Sequence, residues 1–400
     1  MSISEIDLND LDTFEKGIPH HWFQRLRQEA PVYWHDEPDG PGYWVITKYE
    51  DLRHVSRNPK IFSSFLGTNI FDLPPDGLTA IQSLLINMDL PQHVKYRRLV
   101  QKGFTPRQVK VLEPRIRELC DKLIDQVAQR DECEFVSDLA AELPMQVICE
   151  MVGVPAEDRR LIYDLSNRLI GFDDPDFATS PEDGKLAAAE MYAYAQKLAA
   201  ERRVKPADDL VTKLLDAEID GNRLTEHEFN CFFLLLMIAG NETTRTATTH
   251  GMHLLMQHPE QRQRLLADPS LISSAVEEFL RFESPLISFR RTATQDTEIR
   301  GVEIRSGDKV TMWYPSANRD EEAFPNSNTF DVARSPNAHV AFGIGEHFCL
   351  GSNLARLELN IIFEQLLRRF ADIQPSGEPK RLRSNFINAI KYLPVKLTPS

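Results

Sequence analysis

Cysteine is scarce in this 400-residue chain: there are five, at positions 120, 133, 149, 231 and 349. An odd, scattered set implies no disulfide framework and fits a reducing compartment. Positive charge is in deficit as well. Lys and Arg number 46 against 60 Asp and Glu, for a net charge of −14, which argues against general nucleic-acid binding. Long hydrophobic runs are missing: the longest strongly apolar stretch, residues 231–239, falls far short of the ~20 residues a membrane span needs. The opening Met-Ser-Ile-Ser-Glu-Ile-Asp has neither a basic nor an apolar region of signal-peptide type. No internal repeat, low-complexity run or Pro/Gly/Ser linker divides the chain. These absences predict a cytoplasmic protein with no membrane span, folded as a single domain over residues 1–400.

What is present centres on residues 341–351, Ala-Phe-Gly-Ile-Gly-Glu-His-Phe-Cys-Leu-Gly. Downstream, Leu354, Leu357, Ile361, Ile362, Phe363 and Leu366 recur at helical spacing, which predicts a helix over 352–370. Cys349 thus precedes a helix N-terminus, where free N–H groups and the dipole favour an anion, so it should ionise more easily than the other four. Glycines at 343, 345 and 351 permit tight turns and close approach. A thiolate in such a loop suits an axial ligand of haem iron. A small buried residue or a nucleophile with His347 as its base would also account for it. A dinucleotide loop fails, because Phe348 stands where that pattern needs glycine.

Thr225-Glu-His-Glu228 is a capping box, and no proline interrupts the chain from there to about Met256, so one long helix is expected. Its apolar segment 231–239 should be buried on every side. At its centre stands Ala239-Gly-Asn-Glu-Thr-Thr244. A mid-helix glycine costs roughly 1 kcal/mol relative to alanine, and a buried acid with hydroxyls beside it needs partners. Elsewhere, His93 and Arg97 share a helix face four residues apart. Residues 91–112 hold Lys95, Arg97, Arg98, Lys102, Arg107 and Lys110 with no acid at all, an inversion of sign in so acidic a chain. Glu277 and Glu278 can each reach Arg281 along one helix. Two histidines, His250 and His253, lie at helical spacing but lack a third ligand.

The cysteine loop resembles the haem-binding signature of the cytochrome P450 family, Phe-x-x-Gly-x-x-x-Cys-x-Gly with a basic residue two places before the cysteine. Phe342, Gly345, His347, Cys349 and Gly351 meet it. Further motifs of that family follow in order across nearly the whole chain. The resemblance implies haem b with Cys349 as the thiolate ligand, and propionates held by His93, Arg97 and Arg291, with Arg290 leaving a one-residue ambiguity. It implies a structural network of Glu278 and Arg281, from the Glu-x-x-Arg motif, with Arg334. By the same match Glu242 and Thr243 supply protons for cleavage of dioxygen, where a local unwinding of the central helix makes a groove. The implied fold is mainly helical with small β-sheets, haem lying between the long central helix and the helix that follows the cysteine loop.

The implied activity is insertion of one oxygen atom of O2 into a C–H bond of a hydrophobic substrate. Residues 170–177, 239–245 and 381–387 resemble members acting on terpenoids, sterols or branched and long-chain lipids. Electrons would come from an external iron–sulfur ferredoxin and its NAD(P)H-dependent reductase, docking on Arg98, Lys102, Arg107 and Lys110. A haem-thiolate protein that only binds gases or ligands is the alternative, and intact Glu242 and Thr243 argue against it. For the remaining chain the patterns predict helices over 20–29, 49–56, 108–130, 137–152, 156–171 and 185–202. Strands are expected over 31–34, 43–47, 287–292, 297–300 and 310–313, with a final hairpin within 387–397. Residues 64–92 read as a long apolar loop over the substrate pocket, and Thr179, Pro181 and Gly184 as part of an irregular stretch.

Overall fold

The computed structural model describes residues 2–177 and 180–400. Its longest element is the central helix Glu226–Gln257, opened by the capping box: the Glu228 N–H donates to Thr225 Oγ1 at 3.3 Å and the Thr225 N–H to Glu228 Oε2 at 2.7 Å. Around it pack the helices Glu142–Val152, Arg159–Ile170, Pro181–Val204, Ile272–Phe282 and Ser352–Arg369. Phe233 and Met237 of the central helix belong to the same apolar core as Phe279 and Phe363.

A five-stranded sheet flanks this helical body, in the order Val32–His35, Tyr43–Ile46, Lys309–Trp313, Ser288–Ala293, Phe62–Ser63. Tyr43–Ile46 runs parallel to Lys309–Trp313, while the other pairings are antiparallel. The register Val310↔Arg291 and Thr311↔Arg290 sends the two arginines to opposite faces, because successive side chains in a strand alternate.

Three expectations need correction. Residues 64–92 are not irregular throughout: Pro75–Gln82 is a helix and Leu85–Asn87 a 3-10 turn. Proline at the first helical position needs no N–H partner, which is why a Pro-rich segment starts a helix here. Pro181 likewise opens the helix Pro181–Val204, so Gly184 is helical, while Thr179 lies outside the described residues. The tail forms no hairpin of its own. Ile390–Tyr392 pairs with Lys380–Arg381, and Pro394–Pro399 joins Phe370–Pro375 and Glu132–Glu134 in a separate sheet. Alternation marks a strand but not its partner. Among the described residues no helix is long and apolar enough to cross a membrane.

Candidate active site

The cysteine loop is held by its own backbone. The Gly343 N–H donates to the Val340 carbonyl at 2.8 Å, and the Cys349 N–H to the Phe342 carbonyl at 2.9 Å. Gly345 has φ 76°, and a Cβ there would stand 2.7 Å from the Ser56 carbonyl oxygen, so the loop presses on the helix Tyr49–Arg57 as only glycine allows. The ring of Phe342 lies under the Arg356 guanidinium, 4.4 Å from its centroid.

Burial pushes the Cys349 thiol up, and backbone hydrogen bonds from Gly351 and Ser352, with Arg97 and Arg356 nearby, pull it back. The helix start acts on the sulfur as expected, while desolvation raises this thiol as it raises the other four. The other cysteines are buried, and desolvation carries Cys120, Cys133 and Cys149 to about 12. Cys349 alone among the five has backbone N–H groups that oppose that rise.

Beside the loop the fold assembles four basic groups from three distant segments. His93 and Arg97 come from the helix Gln92–Gln101, His347 from the cysteine loop and Arg291 from the strand Ser288–Ala293. The rings of His93 and His347 are 4.2 Å apart, and Arg97 donates to the Phe348 carbonyl at 2.6 Å. His347 Nε2 also lies 3.4 Å from Ser64 Oγ. Burial first, then the neighbouring arginines, lowers His93 to about 4 and His347 to about 2. Arg291 is buried and donates only to the Arg290 carbonyl, at 2.8 Å, among the described residues.

Arg290 leaves for the other face and pairs with Asp72 at 2.6 Å, so the one-residue ambiguity resolves to Arg291 as the cluster's member. The carboxylate near the cluster, Asp89, is engaged by Ser63 and the Ser64 N–H. Two guanidinium groups without an acid partner, next to a buried His93 Nδ1 that lacks one, are costly unless an anion joins them. This donor set fits the two carboxylates of haem, with Cys349 free to bind its iron.

On the central helix, Ala239 is exposed, and Leu235, Ile238 and Thr243 are half-buried. The stripe at 235, 239 and 243 follows helical spacing, so the segment 231–239 is not buried on every side as its composition suggested. The helix is also continuous through Gly240, against the expected unwinding. The Thr243 hydroxyl donates to the Ala239 carbonyl at 3.1 Å. Gly240 has a packing reason instead: a Cβ there would meet Ile148 Cγ1 at 2.8 Å, so glycine lets the helix Glu142–Val152 come close.

Glu242 is fully buried and pairs with Arg245, whose other nitrogen donates to Asn167 Oδ1 at 2.8 Å. Burial raises its carboxyl and Arg245 opposes the rise. Thr243 thus reaches the open face, while Glu242 turns toward the helix Arg159–Ile170. Arg245 was detectable three residues after an acid on the same helix. Asn167 carried no sequence signal of this contact.

Below the loop, Glu278 and Arg281 are fully buried and joined by two hydrogen bonds of 2.7 and 2.8 Å, and Arg334 adds a third to Glu278 at 3.1 Å. Arg281 also donates to the Asn318 and Ser327 carbonyls, both at 2.8 Å. Glu277 turns away to Arg356, at 2.7 and 2.8 Å, a pairing 79 residues long that sequence reasoning missed. His250 is buried against the Asn388 carbonyl, and no group of potential metal ligands of the His, Cys, Asp and Glu type exists among the described residues.

Comparison with known proteins places this geometry. A family model described as cytochrome P450 matches residues 8–397. A steroid C26-monooxygenase of Rhodococcus jostii is 43% identical over 97% of this chain and 84% of its own length. A methyl-branched lipid omega-hydroxylase of Mycobacterium tuberculosis is 43% identical over 98% of this chain and 95% of its own. Among solved structures, a Mycobacterium marinum cytochrome P450 in complex with pseudoionone superposes with a TM-score of 0.91 at 39% identity, covering 96% of each chain.

Proposed function

This chain belongs to the cytochrome P450 family, and we propose that the C–H bond it hydroxylates lies at the branched hydrocarbon end of a steroid side chain or of a methyl-branched lipid. The reaction class is set by the family: a haem-dependent monooxygenase takes O2, two electrons and two protons and yields an alcohol and water. Haem b, bound through Cys349, supplies the oxygen activation when present. The residues of the chain then hold it, admit an apolar substrate, exclude water and move protons. We assign the propionates to His93, Arg97, His347 and Arg291, on the unpaired cations described above.

What supports the substrate reading is the apolar character of side chains left partly open on three segments. Leu235 and Ile238 are half-buried and Ala239 exposed on the central helix, Leu286 and Phe289 are half-buried before and within the strand Ser288–Ala293, and Phe386 is half-buried in the tail. Phe289 and Phe386 meet edge to face, ring centroids 5.6 Å apart. None carries a charge, so affinity draws on apolar burial at about 25 cal/mol per Å². The relatives named for a steroid carbon 26 and for the omega end of methyl-branched lipids act at such chain ends. A sterol ketone with its branched side chain, or a methyl-branched fatty acid, is expected to shift the Soret band to the blue. Testosterone, which lacks the side chain, is expected to yield no product hydroxylated at a chain end. Should a macrolide shift the band while these lipids do not, the substrate assignment falls and the monooxygenase remains.

A monooxygenase of this family needs a redox partner, and we assign a small acidic ferredoxin. Arg98, Lys102, Arg107 and Lys110 are exposed and carry no ion pair among the described residues, whereas nearby Lys95 is paired with Asp220. They lie on the segment whose Arg97 contacts Phe348 and whose Phe104 carbonyl accepts from Asn353, on either side of Cys349. Charge steering acts mainly on association rate and fades with salt. The double variant Lys102→Glu, Arg107→Glu is expected to slow reduction by ferredoxin about ten-fold at low salt, with the gap closing as salt rises. Stopped-flow reduction rates insensitive to both the substitutions and ionic strength would refute this docking face.

A further inference from the structure

A second ion pair lies beside the cysteine loop, separate from the network of Glu278, Arg281 and Arg334. Arg356, from the helix Ser352–Arg369, donates to both oxygens of Glu277, from the helix Ile272–Phe282, at 2.7 and 2.8 Å. In this two-pronged geometry an arginine and a carboxylate fix each other firmly. The same guanidinium lies over Phe342, 4.4 Å from the ring centroid. His339 closes the group from a third segment. Its Nδ1 accepts the Ala341 N–H at 3.2 Å, so its proton stands on Nε2, which lies 3.0 Å from Glu277 Oε2. The His339 side chain is 2% exposed, and its ring is 5.9 Å from that of Phe342.

The charges of this group are fixed in place. Burial pushes the Glu277 carboxyl up, but hydrogen bonds from Arg356 and His339 outweigh it and hold the group at about 2. Phe342 joins the pair to the sulfur, since its ring carries the guanidinium and its carbonyl accepts the Cys349 N–H at 2.9 Å. Burial raises the Cys349 thiol, and Arg356 is among the groups that oppose the rise, acting on the sulfur through space. Arg97 acts likewise, but it is assigned to a propionate. The Arg356 side chain is 34% exposed, so its pairing with Glu277 adds little to stability.

We propose that Arg356 sets the reduction potential of the haem iron bound by Cys349, with Glu277 as the counter-charge that limits it and His339 as the group that holds Glu277 in place. A cation near the thiolate draws on its electron density and favours the iron that has gained an electron. A carboxylate does the reverse. Arg356, Glu277 and His339 are positioning residues, acting through Phe342 and Cys349 rather than at the iron. The inference rests on the reading that Cys349 binds haem iron, and it names what tunes that bond.

The test is a dye-mediated dithionite titration of the substrate-free holoprotein, with the C–O stretch of the ferrous carbon-monoxide complex as a second readout. Arg356→Gln is expected to shift the one-electron equilibrium about ten-fold toward the ferric state, ~59 mV, and to lower the C–O frequency. Glu277→Gln should move both readouts the other way. The double variant, which removes both charges, should lie between them, near the wild type. Arg356→Lys should keep most of the wild-type potential, because it keeps the charge. Where the lone carboxylate left by Arg356→Gln weakens haem binding, the comparison is made in the Glu277→Gln background, with Arg356→Lys expected about ten-fold above Arg356→Gln. Arg264→Gln, which removes a similarly exposed arginine paired with Asp331, should change neither readout. Mere loosening of the loop would move Arg356→Gln and Glu277→Gln in one direction, since both break the same hydrogen bonds. Shifts of one sign in both, or a wild-type potential in both, would overturn the proposal. An unaltered protein whose carbon-monoxide complex lacks the red-shifted band would instead remove the axial-ligand reading beneath it.

Discussion

Replacing Cys349 with alanine is expected to abolish the red-shifted band of the reduced, carbon-monoxide-bound protein, together with hydroxylation. The sulfur sits where the Phe342 carbonyl fixes its backbone and where the N–H groups of Gly351 and Ser352 face it, and alanine keeps that backbone while removing the ligand atom. A second readout is stability. On the assignment proposed above, loss of the thiolate leaves haem to the basic cluster and apolar packing, so haem should dissociate more easily. Arg97, Arg291 and His93 are then left without their anion, and the melting temperature should fall. Adding haem to the wild-type apoprotein should raise the melting temperature, and should raise it less in Cys349→Ala. By contrast Cys120, Cys133, Cys149 and Cys231 are buried. Each should be replaceable by alanine at some cost in packing and none in the optical band. A Cys349→Ala protein that keeps both the band and turnover would show the axial ligand to be another group.

Thr243→Ala should go on consuming reducing equivalents while releasing far more of them as hydrogen peroxide. Among the polar side chains of the motif 239–244, that of Thr243 reaches the open face, and its hydroxyl is parked on the Ala239 carbonyl, a bond it can exchange for a water or a substrate. Loss of a positioned proton donor costs roughly 10²–10⁴-fold in the assisted step. Glu242 stands differently. Its carboxyl is raised by burial, paired with Arg245, and backed through Arg245 by Asn167. Glu242→Gln should therefore slow proton supply and steepen the solvent isotope effect, with less of the peroxide release expected of Thr243→Ala. Product formed per NAD(P)H separates the cases. Wild-type coupling in both variants would remove these two residues from the proton path.

Much of the candidate site was legible in the chain because its parts are local. The cysteine loop and the helix that follows, the capping box at Thr225, the Glu278–Arg281 pair and the pair His93–Arg97 all lie within a few residues of one another. At that range the backbone geometry of a helix or turn fixes which side chains meet. The long central helix could be read from its cap and from its lack of proline. Its exposed stripe could not, since Leu235, Ile238 and Ala239 look as apolar as their buried neighbours. Gly240 stands out in the sequence, but the close approach of Ile148, on another helix, does not.

Long-range partners were decided by the tertiary structure alone. The sheet register chose Arg291 over Arg290 for the basic cluster. Packing brought Arg356 to Glu277, split the tail between two sheets, and set Asp72 against Arg290 and Lys309. It also buried the sulfur of Cys349, and desolvation depends on everything that surrounds the sulfur and not only on the helix behind it. Sequence period and motif specify which face a residue occupies within its own element. Which other element covers that face depends on chain closure over tens to hundreds of residues and on the fit of whole surfaces, and no local pattern encodes either.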